Sequence, residues 1–135
     1  LSYGCLDLSN NLGIQTGTAA ADVFFNRLRT DLIPHSHLNS LHPPIETVFP
    51  DFSDNEGLRS FTAFWRDMGF GGMLCIHPKQ VAVTKLMLRP SAETLEFAEK
   101  VLTEYEQNGS PVFQIDGQMV DIPVIERAKK LLGRT

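Results

Sequence analysis

Three residues in this chain combine a type that could move protons or hold a metal with a position at the edge of an apolar run: Asp7, His77 and Asp121. Asp7 follows the apolar run 1–5 and precedes Ser9-Asn10-Asn11. A carboxylate just past a strand end is placed to bind a hard cation such as Mg²⁺, which prefers oxygen ligands and often takes one or two protein carboxylates. Read by residue type alone, the same stretch is ordinary turn chemistry. Asp121 precedes Ile122-Pro123 at the start of an apolar-periodic run, so it reads as a helix N-cap as readily as an acid/base group. His77-Pro78 ends a short apolar run and fits a general base, a metal ligand or a hydrogen-bonded turn residue. No His-x-x-His or Glu-x-x-His spacing supports zinc. His35, His37 and His42 gather around a helix end and a proline break, and read as solvated surface. No Walker or dinucleotide glycine loop is present, because Gly69-x-Gly71-Gly72 precedes a strand instead of opening a helix. A nucleophile elbow is also absent.

The elements that must position these groups alternate. Residues 1–5 read as the end of a strand, and 18–32 as a helix with Val23, Phe24, Leu28 and Leu32 on overlapping faces. Pro34 is expected to kink or end that helix, with a second helical piece reaching Leu41. His42-Pro43-Pro44 breaks the chain. Residues 45–52 are rich in β-branched and aromatic types and read as a strand. Ser53 or Asp54 then caps a helix carrying Leu58, Phe61, Phe64 and Trp65 as far as Gly69, and a strand ends at Ile76. Strand, helix, strand, helix, strand argues for parallel βα units.

The remainder differs in kind. Pro90-Ser91 opens a helix with Leu95, Ala98, Leu102 and Tyr105 on one stripe, ending near Asn108-Gly109. Asp116-Gly117 between two short apolar runs signals a hairpin with a type I′ turn. A last helix runs from about Pro123, with Ile125, Ala128, Leu131 and Leu132 inward. This helix–hairpin–helix reads as an appendage, with 85–89 as the hinge.

Composition narrows the partners. The 135 residues suffice for a core, and 42% hydrophobic with 21% charged residues is ordinary for a globular chain. A net charge of −4 gives no electrostatic case for nucleic acid or an anionic membrane. No apolar run approaches spanning length. Cys5 and Cys75 stand far apart in apolar settings and read as two buried thiols of a reducing compartment.

Several motifs carry a resemblance. The run Gly69-Phe70-Gly71-Gly72-Met73-Leu74-Cys75-Ile76-His77-Pro78-Lys79-Gln80 resembles the "GF-G-K-IHP-Q" signature of the citrate lyase β-subunit-like family, which includes malyl-CoA and citramalyl-CoA lyases. Tyr3-Gly4-Cys5-Leu6-Asp7-Leu8 resembles that family's "G-x-x-D-[LF]" element, with Leu6 where many relatives carry Glu. Pro44-Ile45-Glu46-Thr47-Val48 is similar to "PIDGV", with Glu46 in place of Asp and Thr47 in place of Gly. Gly117-Gln118-Met119-Val120-Asp121-Ile122-Pro123 resembles "DGKMID-P".

The resemblance implies an α/β fold: the last βα units of a (β/α)₈ TIM barrel over 1–84, then a small helix–hairpin–helix lid over 85–135. It implies Asp7 as a Mg²⁺ ligand and Asp121 as the acid/base, carried on a lid exchanged between subunits of a homo-oligomer. Pro44, Ile45, His77 and Pro78 would contact the coenzyme A thioester. The activity implied is carbon–carbon cleavage of a malyl-, citramalyl- or citryl-type 3-hydroxyacyl-CoA to acetyl-CoA and a 2-oxo acid, by an enzyme whose N-terminal half is not in this chain. A cytoplasmic location, or the mitochondrial matrix in a eukaryote, goes with it. The rivals are a malate-synthase-like or thioesterase outcome on the same site, and a non-catalytic half-barrel that binds a partner polypeptide.

Overall fold

The structure, a computed structural model, describes residues 1–134. It is α/β and mostly helical, and the chain divides into Leu1–Leu88 and residues 89–134.

In the first unit a parallel pair is built as expected, from less strand than the sequence suggests. Strand β1 (Ile45–Glu46) pairs with β2 (Gly72–Met73) in the register Ile45↔Gly72 and Glu46↔Met73. The pairing extends by backbone bonds from Gly71 to Pro44 and from Leu74 to Glu46. The apolar run 45–52 leaves the sheet after Glu46. Phe49 instead packs on Phe61 of helix α3 (Asn55–Met68), at 5.5 Å between ring centroids. Residues 1–5 form no strand: only the Leu1 carbonyl, accepting from the Ile45 amide, follows β1. From Cys5 the chain is helix α1 (Cys5–Leu12), so Asp7, Ser9, Asn10 and Asn11 are helical and not a turn.

Helix α2 (Ala19–Leu38) starts at Thr18, whose hydroxyl accepts from the Ala21 amide. It continues through Pro34, so the helix does not end there. Proline removes one helical donor and crowds the preceding turn. Tertiary contacts on both sides outweigh that cost, with Ile33 packed into the core and Ser36 buried. The buried stripe is Ala21, Phe25 and Arg29, while Val23 and Phe24 face outward. Helix α3 is capped by Asp54, which accepts from the Gly57 amide at 2.8 Å, and it stops at Gly69 with φ 116°, a conformation only glycine adopts freely. Helix α4 (Pro78–Leu88) follows β2 and packs on α3, with Pro78 at its first position. The unit's core is Tyr3, Ala21, Phe25, Trp65 and Phe70.

The second unit holds helix α5 (Ala92–Asn108), the antiparallel strands β3 (Phe113–Ile115) and β4 (Gln118–Val120), and helix α6 (Ile122–Leu131). Asp116 and Gly117 both take positive φ, 49° and 82°, as a type I′ turn requires. Val120, fully buried, ties the hairpin to a core of Ala98, Val101, Leu102, Ile125 and Ala128. Each fully buried aliphatic side chain of this kind contributes about 1.5–3 kcal/mol. Both cysteines are free thiols. Cys75 is exposed, contrary to the buried setting expected from its apolar flanks, because the chain has already left the sheet at Leu74.

Candidate active site

Asp7 stands in the first turn of α1, exposed, where a carboxylate also complements the helix dipole. Its position depends on how the residues before it are held. The two β1 residues and Thr47 just after them bond to alternate residues of the N-terminal segment. The Ile45 amide donates to the Leu1 carbonyl at 2.8 Å, the Tyr3 hydroxyl to Glu46 Oε1 at 2.5 Å, and the Cys5 amide to Thr47 Oγ1 at 3.1 Å. Asp7 lies two residues beyond the last of these bonds. Its carboxylate folds back over Gly4, where a Cβ would come within 3.0 Å of Oδ2. No ion pair among the described residues engages it.

Glu46 is the charged centre of the unit. Its side chain is 0% exposed and receives Arg29 Nε at 2.8 Å, Arg29 Nη2 at 3.2 Å, the Tyr3 hydroxyl and its neighbour's Thr47 amide at 3.0 Å. The guanidinium also donates Nη1 to Asn26 Oδ1 at 2.9 Å and lies over the rings of Tyr3, Phe61 and Phe64. Burial alone would lower the Arg29 pKa, but the hydrogen bond and charge of Glu46 override it and raise the value. Burial, then the Glu46 carboxylate, push the Tyr3 phenol far above its ordinary 10.0. Above about pH 10 the unfolded chain releases a proton that folded Tyr3 keeps, so stability falls as pH rises past that value. The wild-type chain is therefore expected to lose stability at alkaline pH faster than Tyr3→Phe, by chemical denaturation across pH 8–11. Parallel curves would show that Tyr3 carries no linkage.

His77 is placed by its neighbours on both sides. Its ring stacks on Phe52 at 4.9 Å and 10°, and Nδ1 accepts from the Lys79 amide, which leaves the neutral ring's proton on Nε2. Gln80, 1% exposed, accepts the Ile76 and His77 amides on Oε1 at 2.9 and 3.3 Å and donates Nε2 to the Phe49 carbonyl at 2.8 Å. One amide side chain thus binds the His-Pro turn to the chain beyond β1. Gln80→Leu is expected to cost about 1–3 kcal/mol, because it strands these backbone groups. Unchanged urea unfolding would refute that role. Pro44 is fully buried with its carbonyl bonded to Gly71, and Ile45 lies against Gly72. Both are wall residues of the β1–β2 pair beside that turn.

Asp121 belongs to the second unit. Its carboxylate caps α6, accepting from the Val124 amide at 3.3 Å, and the side chain is half-buried. Of the residues singled out by type, Asp7, Pro44, Ile45, His77 and Pro78 lie in the first unit and Asp121 in the second. Tyr3 and Gln80 stand inside the family-like motifs but were given no role from the sequence, and Arg29 escaped notice there. The available signals were an arginine on the inward stripe of α2 and a glutamine one turn into the helix after the His-Pro turn.

A parallel β–α–β unit, with Thr47 just past β1 and the His-Pro turn after β2, defines an α/β protein of the parallel class. No protein-family model matches the chain. Rat mitochondrial citramalyl-CoA lyase is 33% identical over 133 residues, 96% of this chain and 38% of the relative. The citrate lyase subunit beta-like protein of Mycobacterium tuberculosis is 32% identical over 138 residues, 99% of this chain and 50% of the relative. The crystal structure of protein CitE from the same organism, in complex with magnesium, acetoacetate and coenzyme A, superposes with a TM-score of 0.81. It shares 28% identity, over 98% of this chain and 50% of that one. The chain belongs to the citrate lyase β-subunit-like family. It spans half or less of the length of these relatives.

Proposed function

We propose that this chain is the portion of a Mg²⁺-dependent carbon–carbon lyase that carries one metal carboxylate, the His-Pro turn at the thioester side and the acid/base lid. The single observation that supports it most is the family likeness along nearly the whole chain; Asp7, His77 and Asp121 lie in runs that resemble the family's motifs. The residues fit a hard cation. Asp7 offers exposed oxygen donors in a fixed turn, and Mg²⁺ asks for one or two carboxylates with water and substrate completing its shell. Among the described residues no group of three or more His, Cys, Asp or Glu forms an alternative metal cluster.

Bound there, the cation supplies Lewis acidity toward the oxygen that becomes the 2-oxo acid's carbonyl. The chain's own residues do the rest. His77, Pro78 and half-buried Ile45 would line the thioester side, while fully buried Pro44 would hold the β1–β2 pair there through its bond to Gly71. As the bond breaks, the hydroxyl would give up its proton to solvent and become the carbonyl. Asp121, brought from an adjacent subunit of a homo-oligomer, would deliver one proton to the α-carbon of the departing fragment, so no proton is gained or lost overall; the reverse direction returns both. The substrates are 3-hydroxyacyl-CoA thioesters of the malyl, citramalyl or citryl type, and the products are acetyl-CoA and a 2-oxo acid.

The test supplies the chain with the N-terminal half of a relative and follows citramalyl-CoA with and without Mg²⁺. Metal-dependent appearance of acetyl-CoA is the expected result. Free coenzyme A without acetyl-CoA would replace the lyase by a thioesterase. Binding of the other half without turnover or coenzyme A binding would leave a partner-binding half-barrel.

A further inference from the structure

We propose that Thr47 is a positioning residue for Asp7, because its hydroxyl is the N-terminal cap of helix α1. This rests on the reading of Asp7 as the metal carboxylate. A helix start leaves its first amides without partners, and the residue at the N-cap ordinarily supplies an oxygen. The N-cap of α1 is Gly4, which has no side chain and makes no capping bond. A Cβ there would meet Asp7 Oδ2 at 3.0 Å, so a side-chain cap at this position would require the Asp7 carboxylate to shift. The space a cap would occupy is held by the Asp7 carboxylate itself.

The acceptor comes from another element. Thr47 is 3% exposed, and its Oγ1 takes the Cys5 amide, the first of the helix, at 3.1 Å. Its own amide is fixed to Glu46 Oε1, so the hydroxyl hangs from the buried Arg29–Glu46 pair. The path from that pair to the candidate metal carboxylate is Glu46, Thr47, Cys5 and one helical turn. The "PIDGV" pattern that residues 44–48 resemble has glycine at this position, which has no hydroxyl to offer.

The experiment compares wild type with Thr47→Val, Thr47→Gly and Thr47→Ser, with Leu58→Val as a core control elsewhere in the unit. The readouts are amide exchange at Cys5, the ¹³C-carboxylate resonance of Asp7 in the metal-free chain, and Mn²⁺ affinity by electron paramagnetic resonance. Thr47→Val and Thr47→Gly are expected to speed Cys5 exchange about three- to tenfold and to shift the Asp7 resonance. They should also weaken Mn²⁺ about tenfold, as loss of an outer-shell partner does. Thr47→Ser restores all three, and Leu58→Val moves none of them at matched stability. Wild-type exchange and an unmoved resonance in Thr47→Val would overturn the proposal. Mn²⁺ binding indifferent to Asp7→Asn would overturn the metal reading instead, while the two metal-free readouts still decide the role of Thr47.

Discussion

Asp121→Asn is expected to lower turnover of a citramalyl-type thioester by about 10²–10⁴-fold, the usual worth of a positioned acid/base, and to leave thermal stability and Mg²⁺ affinity unchanged. The structure makes this variant unusually clean. Asp121 caps α6 through Val124, and asparagine is as good a cap as aspartate. The substitution therefore removes the proposed proton-transfer group and keeps the helix start. Asp121→Ala removes both, and should add a loss of about 1 kcal/mol in stability. Comparing the two by steady-state kinetics, Mn²⁺ titration and thermal melting separates chemistry from capping. If Asp121→Asn kept wild-type turnover, capping would be the residue's whole role. If it lost metal affinity, the assignment of Asp7 and Asp121 to separate tasks would fail.

The largest expected effect on stability is at Glu46. Glu46→Gln removes the charge facing Arg29, whose side chain is only 9% exposed and has its guanidinium bonded to the Glu46 carboxylate and to Asn26. Breaking one partner of such a buried pair costs about 3–5 kcal/mol, because the other charge is left in low dielectric. That is a large share of the ~5–15 kcal/mol by which a domain is normally stable. The pair itself contributes much less. Removing both charges with Arg29→Met and Glu46→Leu is expected to recover most of the loss, as apolar replacements of buried pairs do. Trp65 makes the measurement specific, since it is the chain's only tryptophan and lies fully buried in the first unit. Equal midpoints for Glu46→Gln and wild type in fluorescence-monitored urea unfolding would contradict this.

Local signals in the sequence settled much of the architecture. Capping residues, glycine stops and apolar stripes mark α3, α5 and α6 closely, and Asp116-Gly117 marks its hairpin, because each of these depends on residues within one or two turns. The family motifs likewise pointed to Asp7, His77 and Asp121 with no knowledge of their surroundings. Tertiary structure decided the rest. Pro34 sits inside a continuous helix because Ile33 and Ser36 are held by the core, a contact no local rule contains. Strand lengths depend on what lies alongside, so the apolar run 45–52 pairs over only two residues before turning to pack on α3.

The polar centre was the least legible. Glu46 and Thr47 read as departures from a motif, and Tyr3 and Arg29 as unremarkable residues 43 and 17 positions from Glu46. Their meaning lies in bonds that cross that separation. The sequence by itself determined which residue types are available for chemistry and where most helices start and stop, since these follow from neighbours in the chain. Only the folded structure decided that Thr47 caps a helix it does not belong to, and that Glu46 is buried with its charge balanced, since both depend on groups that meet through folding.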